Sequence, residues 1–387
     1  IDFITVLERV KEDELFEGNS AKSYLSNLVE SVPSSANITT YADIVKDRFY
    51  TRSLIVTSRD IIDIASSGMA DSNMLLETAE QKIYEIRQGR DVTGLKAIKD
   101  VIEGETFVRL SKISNPETKN EYIGISTGFS ALDRVITGLN KSDLIIVGAR
   151  PGMGKTAFAL NIARNAAVQS GKKVCFFSLE MSRDQLAQRL LSSEAMIESG
   201  KMRTGDLTTE EWLKLSEAGK ILSQSKIYID ETSGITVPEM KAKLRRLKDV
   251  DLVIVDYLGL MQSAKKTENR VQEVSDITRN LKIMAKELQI PVIACAQLGR
   301  GTEVKGKSHK PALSDLRESG SIEQDADIVL FMYRELYYKS ENSDPNVEID
   351  EHKAECIVAK NRHGGLDTVP LYWDGQYTRF STVDVIG

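Results

Sequence analysis

Three cysteines and three histidines in 387 residues leave little material for a metal centre or a disulfide frame. Cys175, Cys295 and Cys356 each sit inside an apolar run (VCFF, IACA, ECIV), the setting of buried thiols in a reducing compartment rather than of zinc ligands. His309, His352 and His363 are too scattered to form a ligand set. No apolar run approaches the ~20 residues of a membrane span and no signal peptide opens the chain, so a cytoplasmic protein without a membrane partner is expected. The first residue is Ile1 rather than methionine, which reads as a piece of a longer protein. A formal net charge of −6 excludes a basic coat, so contact with nucleic acid would need a local strip or a surface assembled from several copies.

What is present is an ordinary globular composition, 41% hydrophobic and 28% charged, long enough for two domains with one large core. The pattern changes along the chain. Residues 1–90 space apolar residues at three and four, as in TTYADIVKDRFYTRSLIVTSRDIIDIASSG and SNMLLETAEQKIYEIRQG, and read as helices with Ser34, Ser35 or Asn37 as caps for the third. Residues 91–125 read as a linker. Its amphipathic helix presents Leu95, Ile98, Val101 and Ile102 on one face, a candidate surface for docking on a neighbouring subunit. Residues 126–387 alternate short β-rich runs (DLIIVGA, KKVCFFSL, KIYID, DLVIVD, PVIACAQ, ADIVLFMY, ECIVAK) with helical segments. That alternation signals an α/β domain with a mostly parallel sheet covered on both faces. LDTVPLYWDGQYTRF closes the chain as a hairpin with Asp374-Gly375 at its turn.

The run DLIIVGARPGMGKTAFALNIA is a strand, a glycine-bearing loop and a helix start. Its window Ala149, Arg150, Pro151, Gly152, Met153, Gly154, Lys155, Thr156 fits a phosphate-binding P-loop, with Ala149 in place of the usual first glycine. In such a loop the amides face phosphate oxygens, Lys155 reaches the β- and γ-phosphates of ATP, and Thr156 ligates Mg²⁺. Asp256, ending the apolar run of DLVIVD, is the favoured second metal ligand. Glu180 in SLEMS has two readings. It either polarises the attacking water from beyond its strand or places a negative charge at the start of the next helix. Gln297 shares the strand-end placement and either senses the γ-phosphate or is an edge polar residue. The basic cluster Lys241–Lys248 reads as an outward, solvated helix face.

Taken in order, GARPGMGKT, SLEMS, VIVDYLGLM, ACAQLGR, SDLRESGSIEQDADIVLF and AKNRHG closely resemble bacterial replicative DNA helicases of the DnaB family. The resemblance covers nearly the whole chain, with the helical first part similar to the latter part of that family's N-terminal domain. It implies a RecA-like P-loop NTPase domain preceded by an all-α fragment and a linker helix. It further implies a homohexameric ring using ATP and Mg²⁺ to move 5′ to 3′ along single-stranded DNA, with a DnaG-type primase and a helicase loader as partners. It assigns Glu180 as the catalytic carboxylate and Gln297 as the link between γ-phosphate and DNA. Lys360 and Arg362 become cations that enter a neighbour's site, although by position alone they are an exposed pair after a strand. Phosphoryl transfer builds negative charge that a cation supplied in trans stabilises.

The acidic stretch Ser314–Leu330, too irregular on its face for a helix, becomes the expected strand-holding segment through Arg317, Glu318 and backbone amides near Gly320. Asp325 and Asp327 are expected merely to flank the next strand. In the preceding loop, Arg300, Lys305, Lys307 and Lys310 give a local positive strip, which reads either as a DNA-facing loop or as a solvated one. The competing readings are a RecA-like recombinase or related regulatory ATPase, and a nucleotide-binding loader or scaffold without hydrolysis. Lys155, Glu180 and Asp256 together argue against the last.

Overall fold

The computed structural model describes residues 38–66, 71–87, 97–115, 123–264, 269–299, 310–316, 320–337 and 350–383. The chain divides into two compact units, Ile1–Lys96 and Ala97–Gly387. In the first unit, α1 (Ile38–Ser66) and α2 (Ser72–Arg87) pack together and are tied by the Lys82–Asp60 pair at 2.8 Å. The proposed caps Ser34, Ser35 and Asn37 lie outside the described residues.

The second unit begins with a helix in three parts, α3 (Ile98–Val101), a π-helical turn (Ile102–Thr106) and α4 (Phe107–Ser114). Its two α-helical parts bury none of their side chains, and Ile98, Ile102, Phe107 and Leu110 are exposed. This helix falls in the second contact unit, Ala97–Gly387.

Nine strands among the described residues form one sheet in the order β3-β2-β4-β5-β1-β6-β7-β8-β9. The strands are β1 (Leu144–Ala149), β2 (Val174–Ser178), β3 (Ile227–Asp230), β4 (Leu252–Asp256), β5 (Val292–Gln297), β6 (Ile328–Tyr333), β7 (Lys353–Asn361), β8 (Asp367–Asp374) and β9 (Arg379–Thr382). The first six pair in parallel, as continuous apolar runs between crossovers require, and β6 to β9 pair antiparallel.

Alternate residues of β1 feed two cores. Ile145 and Val147 face Phe129, Phe158 and Phe176, while Leu144 and Ile146 face Met240, Leu281 and Met284. The helices that follow include α5 (Ser130–Ile136), α6 (Lys155–Arg164), α7 (Arg183–Ala195), α8 (Ser199–Thr204), α9 (Thr209–Gln224), α10 (Val237–Leu247) and α11 (Arg270–Leu288), of which all but α8 add residues to these cores. Three of them start at complete capping boxes, Ser182/Gln185, Thr208/Glu211 and Thr236/Glu239.

Three expectations change in detail. The closing hairpin forms, but Asp374 pairs with Arg379, so the turn holds four residues and its left-handed position is Thr378 rather than Gly375. The cluster on α10 is ion-paired rather than simply solvated. Lys241 lies 2.6 Å from Glu287 and Lys243 lies 2.7 Å from Asp230. The acidic stretch contains a short helix, α12 (Gly320–Asp325), which packs on α11. The three thiols are buried within β2, β5 and β7, as their apolar flanks predict.

Candidate active site

β1 delivers the chain into the loop Arg150–Met153 and then into α6, whose N-cap is Gly154 at φ +91°. A Cβ there would stand 2.8 Å from Cζ of Phe380, so both backbone angle and space demand glycine. Lys155 and Thr156 are the first residues of α6, where unpaired N–H groups and the positive end of the helix dipole favour an anion. Ala149 and Met153 are buried, whereas Pro151 and Gly152 are exposed at the lip.

Asp256 ends β4 with 1% exposure. Thr156 Oγ1 donates to its Oδ2 at 2.6 Å, and the Lys155 ammonium lies 3.2 Å from its Oδ1. The same ammonium sits 4.3 Å from the centroid of the Tyr257 ring. A hydroxyl, a carboxylate and an ammonium drawn from two distant segments of the chain therefore meet at one point. The oxygen donors Thr156 and Asp256 are of the hard type that suits Mg²⁺.

Glu180 projects from a tightly fastened turn. The N–H of Leu179 donates to the carbonyl of Asp256 at 2.7 Å, and the Ser178 hydroxyl donates to the carbonyl of Met181 at 2.6 Å. Ser182 then caps α7, whose first-turn acid is Asp184. Glu180 lies ahead of the cap and is exposed.

Gln297 ends β5 beside Ala149, also exposed. The next residue is tied to the loop, since the Leu298 N–H donates to the Ala149 carbonyl at 3.0 Å and Arg150 donates to the Leu298 carbonyl at 3.2 Å. Gln297 opens on a cavity of about 220 Å³ that Tyr257, Arg270, Leu316 and Ile322 help to line.

The sequence reading missed two features. Arg189 on α7 stands near Asp256 and Glu180; burial lowers its pKa, and those two carboxylates oppose the shift. Nothing in the local sequence singles this arginine out. On the other side of the loop, Arg334 donates to the Gly152 carbonyl at 3.4 Å and lies over Trp373, 4.9 Å from its centroid. Tyr337 lies close to Gly152. Arg334 directly follows β6, so the rule that ligands lie beyond strand carboxyl ends was applicable to it.

Lys360 and Arg362 are not with this group. Asn361 pairs with Ile328 at the start of β6, and the Arg362 N–H donates to the Asp327 carbonyl. That is the opposite end of the parallel strands, roughly 16 Å away from Ala149 at the usual rise per residue. Arg317 and Glu318 lie outside the described residues, as do Arg300, Lys305 and Lys307, while Gly320 is exposed at the start of α12. Lys310, expected in a positive strip, pairs with Glu355 at 2.5 Å and lies 5.6 Å from the Tyr333 ring centroid. Asp327 does not merely flank β6. It is buried and accepts from Leu144 N–H at 2.8 Å and Lys282 Nζ at 2.5 Å.

Residues 124–382 match the family model described as the DnaB-like helicase C terminal domain, and residues 1–47 match the DnaB-like helicase N terminal domain. The chain belongs to the DnaB-like helicase family. It is 44% identical to the replicative DNA helicase DnaC of Bacillus subtilis (strain 168) and 43% identical to the replicative DNA helicase DnaB of Geobacillus stearothermophilus, covering 99% of this chain and 83% of each relative. Among solved structures, a DnaB-like replicative helicase described with its interactions with primase aligns over 99% of this chain and 88% of that one, at TM-score 0.71 and 32% identity. A second solved structure, an isolated ATPase domain, aligns over 73% of this chain and 99% of that one, at TM-score 0.66 and 36% identity. In this DnaB-like helicase the C-terminal family region holds Lys155, Thr156, Asp256 and the whole sheet of the described residues.

Proposed function

We propose that this replicative DNA helicase is an ATP-driven motor that moves 5′ to 3′ on single-stranded DNA as a homohexameric ring and unwinds duplex at the replication fork. The observation that carries the reading is the meeting of Lys155, Thr156 and Asp256 on one buried carboxylate, with Glu180 held beside it by the Leu179–Asp256 hydrogen bond. Lys155 holds the β- and γ-phosphates, the first amides of α6 orient them, and Glu180 accepts the proton of the attacking water. Thr156 and Asp256 would hold Mg²⁺, which neutralises phosphate charge. Gln297 reports the γ-phosphate toward the segment following Leu316. Arg317, Glu318 and the amides near Gly320 hold the strand.

Lys360 and Arg362 serve a neighbouring subunit, because their own P-loop lies at the other end of the strands. We retain the three-part organisation, 1–90, 91–125 and 126–387, with the exposed apolar helix face of the middle part available to a neighbour. A DnaG-type primase and a helicase loader are the proposed partners, and the cytoplasm is the proposed compartment; no helix among the described residues is long and apolar enough to cross a membrane. A filament-forming recombinase is disfavoured by the matches to both helicase domains.

The test is strand displacement on forked duplexes with either tail polarity, beside a mass measurement. Wild type should require a 5′ tail and run as a hexamer, and Lys155→Ala should abolish unwinding. Unwinding by that variant would remove the assigned site.

A further inference from the structure

Around Lys360 and Arg362, the end of β7 and the start of β6 hold charges, Asp327 and Lys282, that the catalytic reading leaves without a task. Asp327 has 5% side-chain exposure, and besides Leu144 N–H and Lys282 Nζ it faces Arg362, whose Nη1 is 3.5 Å from Oδ1. Arg362 Nη2 donates to the Gln324 carbonyl. The Lys360 ammonium donates to the carbonyls of Glu323 and Ala326, the latter at 2.7 Å. Both cations therefore rest on the carbonyl end of α12, where the helix dipole is negative. Lys282 is fixed in turn by the Ser142 carbonyl at 2.7 Å. The adjacent Asp143 accepts from His363 Nε2 at 2.9 Å, and burial pushes its carboxyl up. Asp143, Asp327 and His363 are close enough to resemble a cation site, but the Lys282 ammonium already supplies the positive charge between the strands.

We infer that Asp327 is a positioning residue for Arg362, and that the closing carbonyls of α12 complete a cradle that aims Lys360 and Arg362 at the adjoining subunit. The inference rests on the reading of Arg362 as a cation supplied in trans. A guanidinium on a long stem is useful only when its plane is fixed, and two anchors on different nitrogens fix it. Arg362 is nevertheless 48% exposed, so it is held without being enclosed.

The cradle is also part of a continuous segment. Leu316 bridges to Leu298, the residue after Gln297, and α12 leads on to Asp327.

Asp327→Asn in the full chain preserves shape and an acceptor for Leu144 while removing the charge. The assembly mass and the affinity for a fluorescent ADP analogue should match wild type. DNA-stimulated ATP turnover should fall about ten-fold in kcat, with KM for ATP within about two-fold. The double variant with Arg362→Ala should be no slower than Arg362→Ala alone, since Asp327 acts through Arg362. Full turnover in Asp327→Asn, or a further ten-fold loss in the double variant, overturns the inference. Should Asp327→Asn fail to assemble, Arg362→Lys supplies the measurement: an ammonium cannot span both anchors, so kcat should drop to the Arg362→Ala level, and wild-type turnover overturns the cradle. Full turnover in Arg362→Ala instead removes the underlying trans reading, a separate outcome.

Discussion

Removing the Lys155 ammonium should weaken the nucleotide-free fold as well as catalysis. Lys155 and Asp256 have side-chain exposures of 12% and 1%, so neither is well solvated. Breaking such a pair by deleting one partner costs about 3–5 kcal/mol, because the remaining charge stays buried. Thr156 still donates to Asp256, which places Lys155→Met near the lower end, about 3 kcal/mol. That is about a hundred-fold in the folding equilibrium and, for a domain of this size, a shift of about 1 M in the urea midpoint.

The fold offers its own probe. The protein has two tryptophans, and Trp373 packs against Phe380, which lies against Gly154 of the loop. Trp212 is exposed, so a Trp212→Phe background leaves a reporter beside the site. Urea titration followed by Trp373 emission should show the lower midpoint at unchanged slope. Adding Asp256→Asn to Lys155→Met should recover at least half of the loss, since neither charge then remains. A midpoint within about 0.2 M of the parent, or additive losses in the double variant, would refute the argument.

Arg189→Ala should leave nucleotide affinity within a few-fold but lower ATP turnover by about ten- to a hundred-fold, measured by steady-state hydrolysis; an unchanged kcat would confine Arg189 to packing. Burial raises Cys175 and Cys356 to about 12 and Cys295 well above its usual value, so iodoacetamide at pH 8 should label all three only as fast as the protein unfolds. The Lys201 ammonium and Thr208 hold Glu211 down at about 2. Its contribution to the start of α9 should be complete above its unfolded value near 4.5 and fade as pH falls toward about 2; Glu211→Gln should flatten that portion of a pH-dependent denaturation series.

The parts of the candidate site that lie next to one another in sequence were legible there. Strand, glycine loop and helix start announce Lys155 and Thr156, and an aspartate ending an apolar run announces Asp256. The alternating pattern also gave the parallel sheet, and the apolar flanks gave the buried thiols. What the chain did not disclose depends on register and on approach across the sheet. Asp327 looked like a strand-flanking acid because its partners Leu144, Lys282 and Arg362 come from three distant segments. Arg189 and Arg334 converge on the candidate site from different elements; Arg334 has only its place after a strand to mark it, and nothing local marks Arg189. The irregular look of Ser314–Leu330 hid a six-residue helix because its stability comes from packing on α11 rather than from its own periodicity.

On the proposed role of Lys360 and Arg362 in trans, their placement at the strand ends opposite Lys155 and Thr156 has a consequence for symmetry. A chain that offers cations on one surface and needs them on another is complementary to a rotated or translated copy that presents the other surface, not to one that presents the same surface. A twofold dimer would bring like surfaces together and complete neither reaction centre. Only head-to-tail repetition satisfies every copy, and an open filament always ends on one copy without a donor. Closure into a ring is the single arrangement in which no copy is left waiting.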